Sequence, residues 1–388
     1  MIKVANLVFN PFKNDSRVEK TSKSLVNNGY KVEVIAHLDK DVEKEEIREN
    51  YKIKRFSYLD RKVTKNKLDK LKAYLKYLKE AINYCKNFDI IHCNDLNTLP
   101  IGVIIKRFYN KNVKIIYDAH EYESERCHQS RLLNKISRII EKYLIKYADR
   151  VITVSNSIAN EYVKLYNIEK PAVVLNTPPY KEIEKKDIFR EKFGIPKDKI
   201  IFLYQGGLNS GRGIEILLEA FKDIEEEGRR EKGEENFNLQ PVIVFMGYGE
   251  LEELVKEYAT KYENIYFHPA VSPDVLLDYT SSADFGISTI EDSCLSYRYC
   301  LPNKMFEYLM AEVPVIVSNL PEMKKIVEEN KIGIVAKENT PQGLKEAIKE
   351  AIQLNKEELK QNIKKVKEIY NWQEQEKKLL EVYKGLNK

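Results

Sequence analysis

The sequence predicts an α/β protein of two tandem Rossmann-like domains, each a doubly wound parallel sheet. Three observations carry this. Short apolar runs alternate with segments of helical period along almost the whole chain, the pattern of strand–helix–strand units. The alternation pauses over 176–199, where Pro178, Pro179 and Pro196 fall in a stretch with no strand-like run, and then resumes. The length of 388 residues is more than one hydrophobic core usually organises.

The elements follow in order. "IKVANLVF" reads as a strand, "SRVEKTSKSLVNNG" as a helix closed by Gly29, and "KVEVIA" and "KIKRF" as further strands. A long helix is expected near 65–87, with Leu68, Leu71, Leu75, Leu78, Ile82 and Cys85 as its stripe against the sheet. Lys62, Lys65, Lys67, Lys70, Lys72, Lys76 and Lys79 crowd this helix and its approach. They read as a solvated face, or as a docking face for an anionic membrane. "FDIIHC", "VKIIYDAH", "DRVITVS" and "AVVLN" alternate with helices near 97–109, 131–147 and 156–166. Residues 176–199 read as a linker with one small helix. "IIFLYQGG", "PVIVFMG", "NIYFH", "ADFGIS", "VPVIVS" and "IGIVA" then alternate with helices near 213–226, 249–261, 272–281, 302–311 and 321–329. The stretch 227–240 reads as a polar surface insertion.

Charged residues make up 32% and hydrophobic residues 43%, which suits a soluble globular chain. The opening apolar run is expected to be a first strand, too short for a signal-peptide core. No apolar run approaches the roughly 20 residues that span a bilayer. The five cysteines form no CxxC pair, which argues against a zinc ribbon and fits a cytoplasmic setting. Residues 1–175 hold 34 Lys+Arg against 22 Asp+Glu, net +12, and the remainder is net −7. A basic front half and an acidic back half suit different partners. No nucleic-acid partner is expected.

In open parallel sheets, ligands bind beyond the carboxyl ends of the strands. "FLYQGGLNSGRGIEILLEAF" is a strand, a loop with Gly206, Gly207, Gly211 and Gly213, and a helix. Such a loop brings backbone N–H groups close to an anion, and Arg212 adds a planar charge suited to phosphate. Gly247 and Gly249 repeat the glycine turn after the next strand. In "LPNKMFEYL", Asn303, Lys304 and Glu307 share one helix face. A lysine at a helix N-terminus opposes the dipole, so a phosphate in front of it would account for it. A plain surface Lys–Glu pair has the same spacing. "IIYDAHE" and "IIHCNDL" end strands with Asp118, His120 and Glu121, and with His92, Asn94 and Asp95. They lack the HExxH spacing of a zinc site and read as the wall of a polar cleft. Asp39 and Asp41 sit in a charged loop and read as solvated surface. Asp15 or Ser16 caps the first helix, and Arg17 follows as an exposed arginine or a dock for an anionic acceptor.

Taken in order, "NDSRVEKTSKSLVNNGYKVEVIA", "FDIIHCND", "IIYDAHEYESE", "ADRVITVS", "YQGGLNSGRGIEILLEAF", "VFMGYGE", "NIYFHPAVSPDVLLDYTSSADFGIS", "PNKMFEYLMAEVPVIVS" and "NWQEQEKKLLEVYKGL" resemble the GT-B glycosyltransferases of family 4 over nearly the whole chain. The resemblance implies an acceptor-side domain 1–175, a linker 176–199, a donor-nucleotide domain 200–370 and a helix 371–388 crossing back, with a cleft between the domains. It implies retaining transfer from a nucleotide-diphospho-sugar, with a UDP-sugar favoured and no metal cofactor. The acceptor would be a glycan or lipid-linked molecule in cell-surface polysaccharide or glycoconjugate synthesis, reached from the cytoplasm or the inner membrane face.

By the same resemblance, Arg212 and Lys304 hold the donor diphosphate and Glu307 the nucleotide ribose. His120 contacts the transferred sugar, and the loop from His268 flanks the base. Gly206, Gly207, Gly247, Gly249, Tyr299 and Asn303 line the donor pocket. Arg17, His92, Asp95 and Glu121 stand on the acceptor side. The sequence departs from the family pattern twice. Tyr299 stands where the first acid of E-x7-E is often found, and Gly207 where the donor loop often has a second basic residue. A nucleotide-sugar 2-epimerase on the same fold is an alternative, as is a non-catalytic donor-binding subunit.

Overall fold

Eight strands of the amino-terminal half form one sheet in the computed structural model, which describes every residue except 58–65, 128, 231–240 and 388. They are β1 (Lys3–Leu7), β2 (Lys31–Leu38), β3 (Glu45–Arg48), β4 (Tyr51–Ser57), β5 (Ile90–Asn94), β6 (Lys114–Ala119), β7 (Arg150–Thr153) and β8 (Ala172–Val173). Their order is β3-β4-β2-β1-β5-β6-β7-β8, parallel except at the β3–β4 edge. This sheet belongs to a unit of Met1–Leu175 together with Gln375–Lys388. The inner strands are buried along their length, β5 at every position. That is why they read as continuous apolar runs rather than alternating ones.

The second unit is Asn176–Glu374. Its strands are β9 (Ile200–Gly207), β10 (Pro241–Tyr248), β11 (Ile265–Pro269), β12 (Phe285–Ser288), β13 (Val315–Ser318) and β14 (Gly333–Ala336). They pair in parallel in the order β11-β10-β9-β12-β13-β14. Phe202 of β9 stacks on Phe285 of β12 at 5.2 Å and meets Phe221 edge-on at 5.8 Å, at the centre of the apolar core. In both sheets the first strand stands where the strand order reverses. The residues beyond β1, β5, β9 and β12 are therefore the ones the topology presents to a ligand.

Three details differ from the sequence reading. The run "DKDVEKEE" contributes to β3, an antiparallel edge pinned by buried Arg55, whose guanidinium donates to Glu46 at 2.8 Å. Asp39 and Asp41 stay at the surface, both facing Lys13. Residues 176–199 belong to the second unit, with Phe189 of the helix Ile188–Phe193 fully buried. The helix after β9 runs Ile214–Arg230, longer than expected, and most of the polar insertion (231–240) lies outside the described residues.

The long helix is Lys67–Cys85, and its buried face is Ala73, Tyr77, Leu78, Ala81, Ile82 and Cys85. Leu68, Leu71 and Leu75, expected against the sheet, are exposed. Phe9 packs edge-on against both Tyr74 and Tyr77 and draws the aromatic side of the helix inward instead. Lys62 and Lys65 lie outside the described residues. The last helix, Trp372–Lys384, buries Tyr383 in the first unit, where Gln375 accepts from the Leu175 amide at 3.1 Å. Among the described residues no helix is long and apolar enough to cross a membrane.

Candidate active site

In the second unit, two cations converge on the end of β9. Lys304 sits in the first turn of the helix Asn303–Met310, for which Pro302 is the N-cap rather than the first helical residue. Its ammonium lies 3.5 Å from the centre of the Tyr204 ring. It also stands 3.8 Å from where a Cβ of Gly206 would be, and Gly206 has φ +111°. A side chain there would be strained and would crowd the lysine. Arg212 lies over the Tyr297 ring at 4.9 Å. Among the described residues, neither cation has a carboxylate within 4.0 Å. Burial first, and then the neighbouring Arg212 charge, holds the Lys304 pKa well below that of a free lysine, with Glu307 opposing. Two cations resting on aromatic faces, the lysine desolvated, with no carboxylate within 4.0 Å among the described residues, suit a multiply charged anion.

Glu307 lies one turn further along. It accepts from Gln205 Nε2 at 2.6 Å, and Gln205 Oε1 accepts from the Thr280 hydroxyl at 2.8 Å. The Gln205 amide donates to the Tyr308 hydroxyl, which in turn donates to the Leu203 carbonyl. Glu307 is thus held by a side chain from the middle strand. Gly247 is opposite Gly206 in the β9–β10 register, and a Cβ on it would fall 1.9 Å from the Gly206 carbonyl. Gly207 and Gly249 lie in the same strand-end turns, and a Cβ on either would crowd Asn209. Asn303 is exposed, and Tyr299 is half-buried as the C-cap of the short helix Leu295–Arg298.

His268 is placed differently from the expectation. It is packed among Phe189, Phe193 and Tyr279, and its Nδ1–H donates to the Pro269 carbonyl at 2.6 Å. That tautomer makes Nε2 the acceptor for the Lys192 ammonium at 2.8 Å. Both ring nitrogens are therefore used within the unit, and burial lowers the ring's pKa.

In the first unit, His120 follows β6 with about a fifth of its side chain exposed. Asn94 gives both amide protons to Asn6 Oδ1 and the Leu7 carbonyl, so its Oδ1 is the acceptor that meets His120 Nε2–H at 3.0 Å. The other nitrogen, Nδ1, faces Asp95 at 3.8 Å, while the Asp95 carboxylate accepts the His120 amide at 3.1 Å. Asp95 itself has φ +63°. Burial lowers the imidazole pKa, but Asp95 and Asp118 outweigh it, so the net shift is upward. The stability gained from these carboxylates is fully present below about pH 6.5 and fades as pH rises through the raised value. Denaturant titrations should show His120→Gln costing more near pH 6 than near pH 9, and an equal cost at both would contradict the assignment.

Arg17 and His92 are corrected from the acceptor side to the interior. Arg17 is buried, and it grips Asp118 bidentately at 2.9 and 2.7 Å and donates to the Val174 carbonyl at 2.8 Å. Asp15, as one of the two expected caps, accepts from the Val18 amide. His92 is fully buried, with Nδ1 at 2.7 Å from the Tyr383 hydroxyl of the last helix and Nε2 at 3.4 Å from Asp118. Burial lowers its pKa. Glu121 is half-buried and pairs with Arg126 at 3.0 Å, which also holds buried Glu123 at 2.6 Å. Burial, and then the Asp95 charge, raises the Glu123 carboxyl well above the usual range. Sequence reasoning passed over Glu123, Gln205, Tyr204 and Tyr383. A glutamine inside the apolar run "IIFLYQGG" was the available signal for Gln205. For the others only the fold supplies one.

A doubly wound parallel unit with a glycine-bearing anion grip, joined in one chain to a second sheet that ends in polar side chains, defines the GT-B class of glycosyltransferase. Residues 16–178 match the family model described as Glycosyltransferase Family 4, and residues 185–368 match Glycosyl transferases group 1. The chain belongs to these glycosyltransferases of the family 4 type and is a transferase enzyme. An uncharacterized glycosyltransferase of Methanocaldococcus jannaschii is 24% identical over 80% of this chain and 79% of its own. A chitobiosyldiphosphodolichol beta-mannosyltransferase of Kluyveromyces lactis is 23% identical over 67% of this chain and 64% of its own. The fold is shared with HepE of Anabaena, solved in complex with UDP-glucose, at a TM-score of 0.74 and 13% identity over 99% of this chain and 100% of that one.

Proposed function

We propose that this glycosyltransferase takes its sugar from a nucleotide-diphospho-sugar, in the first instance a UDP-sugar, and transfers it with retention of configuration. The acceptor is a glycan or a lipid-linked molecule of cell-surface polysaccharide or glycoconjugate synthesis, met at the cytoplasmic side. The observation that carries the donor reading is the pair Lys304 and Arg212 beside Gly206, with no carboxylate within 4.0 Å of either among the described residues. A leaving diphosphate develops charge as the glycosidic bond breaks, and fixed cations away from bulk water stabilise it best there. They do so without a resident metal, so a chelator leaves the rate unchanged. In this reading Glu307, held by Gln205, accepts from the ribose hydroxyls, and the departing phosphate oxygen takes the acceptor proton. The UDP-glucose complex of HepE supports the choice of nucleotide, and the lipid diphosphate in the mannosyltransferase's name supports the choice of acceptor.

The lowered pKa of Lys304 supplies a direct test. A bound diphosphate favours the charged ammonium and raises that pKa, so wherever the free lysine has begun to lose its proton, donor binding restores it. Calorimetric titration of UDP-sugars in buffers of different ionisation enthalpy, repeated from about pH 7 to about pH 10, should show proton uptake that changes with pH, and Lys304→Met should abolish that component. No uptake at any pH in this range, or uptake unchanged in the variant, removes Lys304 from the phosphate site.

A further inference from the structure

The helix Arg131–Leu144 turns most of its large apolar side chains outward. Its inward anchor is Glu141, fully buried, with Tyr117 and Tyr162 donating to one carboxylate oxygen and Tyr166 to the other, each at 2.6 Å. That arrangement removes the helix's single acidic residue from solvent. On the outward side, Leu132, Leu133, Ile136, Ile139, Ile140 and Tyr143 follow the spacing of one helix face, and each is between 43% and 69% exposed. Arg131, Lys135 and Lys142 form an adjoining basic stripe at i+4 and i+7 spacing, and Arg138, on the same stripe, is paired with Glu125. The surface continues onto the end of the helix Leu99–Phe108. There Arg107 donates to the hydroxyls of Tyr143 and Tyr147, and Phe108 and Tyr109 are exposed.

A water-facing helix gains nothing from this arrangement, because exposed leucine and isoleucine side chains order water and invite association. A basic stripe beside an apolar one, with the helix's own acid buried away from both, is the pattern of a helix lying in a lipid interface. We propose that Arg131–Leu144 docks on an anionic lipid bilayer, its apolar stripe entering the acyl boundary and its basic stripe meeting headgroup phosphates. Charge complementarity selects this occupant. A second copy of the same face would set one basic stripe against another. The exposed Leu68, Leu71 and Leu75 of Lys67–Cys85, with Lys70, Lys72 and Lys76 among them, extend the same character. That helix joins β4 to β5, Leu99–Phe108 joins β5 to β6, and Arg131–Leu144 lies between β6 and β7. All three step in one direction across the sheet, so right-handed crossovers place them on one face. The proposal rests on the lipid-linked acceptor reading only for its purpose, since attachment needs no donor chemistry.

The test is flotation of the full chain with vesicles of phosphatidylglycerol and phosphatidylcholine, against phosphatidylcholine alone, at low salt. The wild type is expected to float with the anionic vesicles and to release as salt is raised. Ile136→Glu with Ile139→Glu should lower retention at least about tenfold. Lys135→Glu with Lys142→Glu should do the same without touching the apolar stripe. Unchanged UDP-sugar binding by both variants shows that the chain remains folded. Wild type that stays unbound, or variants retained as well as wild type, overturns the proposal. A dimer in light scattering that Ile136→Glu with Ile139→Glu dissociates also overturns it, in favour of a second copy. Failure of flotation leaves the donor reading standing, and failure of donor binding leaves the docking surface standing.

Discussion

Lys304→Ala lowers kcat/KM for sugar transfer by about 10²–10³-fold, the scale on which one preorganised charge stabilises a leaving group. The loss falls mainly on kcat, because the leaving oxygen carries more charge in the transition state than in the bound donor. Arg212→Ala acts in the same direction. The double variant costs less than the two losses combined, because both cations face one diphosphate and each lowers the other's benefit. Lys304→Arg restores little: the ammonium lies 3.5 Å from the centre of the Tyr204 ring and 3.8 Å from where a Gly206 Cβ would be, a gap too narrow for the broader guanidinium. Steady-state kinetics with a screened UDP-sugar decide this. A variant that keeps both kcat and donor affinity would remove the diphosphate assignment.

The second large effect is on stability. Arg17→Met leaves the Asp118 carboxylate buried without its bidentate partner, at a cost of about 3–5 kcal/mol. Burial alone would raise the Asp118 pKa, but Arg17, with His120, holds it well below the usual carboxylate range. Its stabilising contribution is therefore present above about pH 4 and is lost as pH falls through the depressed folded value. Replacing both partners, with Arg17→Met and Asp118→Leu, recovers much of the loss, because the orphaned charge is then gone. Urea unfolding of the single and double variants measures the difference. A single variant within about 0.5 kcal/mol of wild type would show that the pair contributes little to the fold.

These effects come from residues of unequal legibility. Lys304 and Arg212 stood out in the sequence, because a lysine at a helix N-terminus and an arginine in a glycine loop both oppose the local default. Arg17 and His92 were misplaced for a different reason. A strand-end histidine and an arginine in a first helical turn look alike whether they face water or the interior. What decides is a partner about a hundred residues or more away. For Arg17 it is Asp118, and for His92 it is Tyr383 on the last helix. The Leu68–Leu71–Leu75 stripe failed similarly. Periodicity marks an apolar face but not which side of the helix the sheet takes, and Tyr74 and Tyr77 took it through Phe9.

The sequence by itself determined the two alternating strand–helix series, the break between them, the glycine turns and the charged residues beside those turns. All of these are local: they depend on period, turn chemistry and residue type within about ten positions. Only the tertiary structure decided which polar side chains are free to meet a ligand. It left Lys304 and Arg212 without carboxylate partners among the described residues, and it closed Arg17, His92 and His268 into internal bonds. It also turned Glu141 inward and the apolar face of Arg131–Leu144 outward. Exposure is a property of pairs of distant segments, because a buried polar group must find its partner wherever the fold brings one.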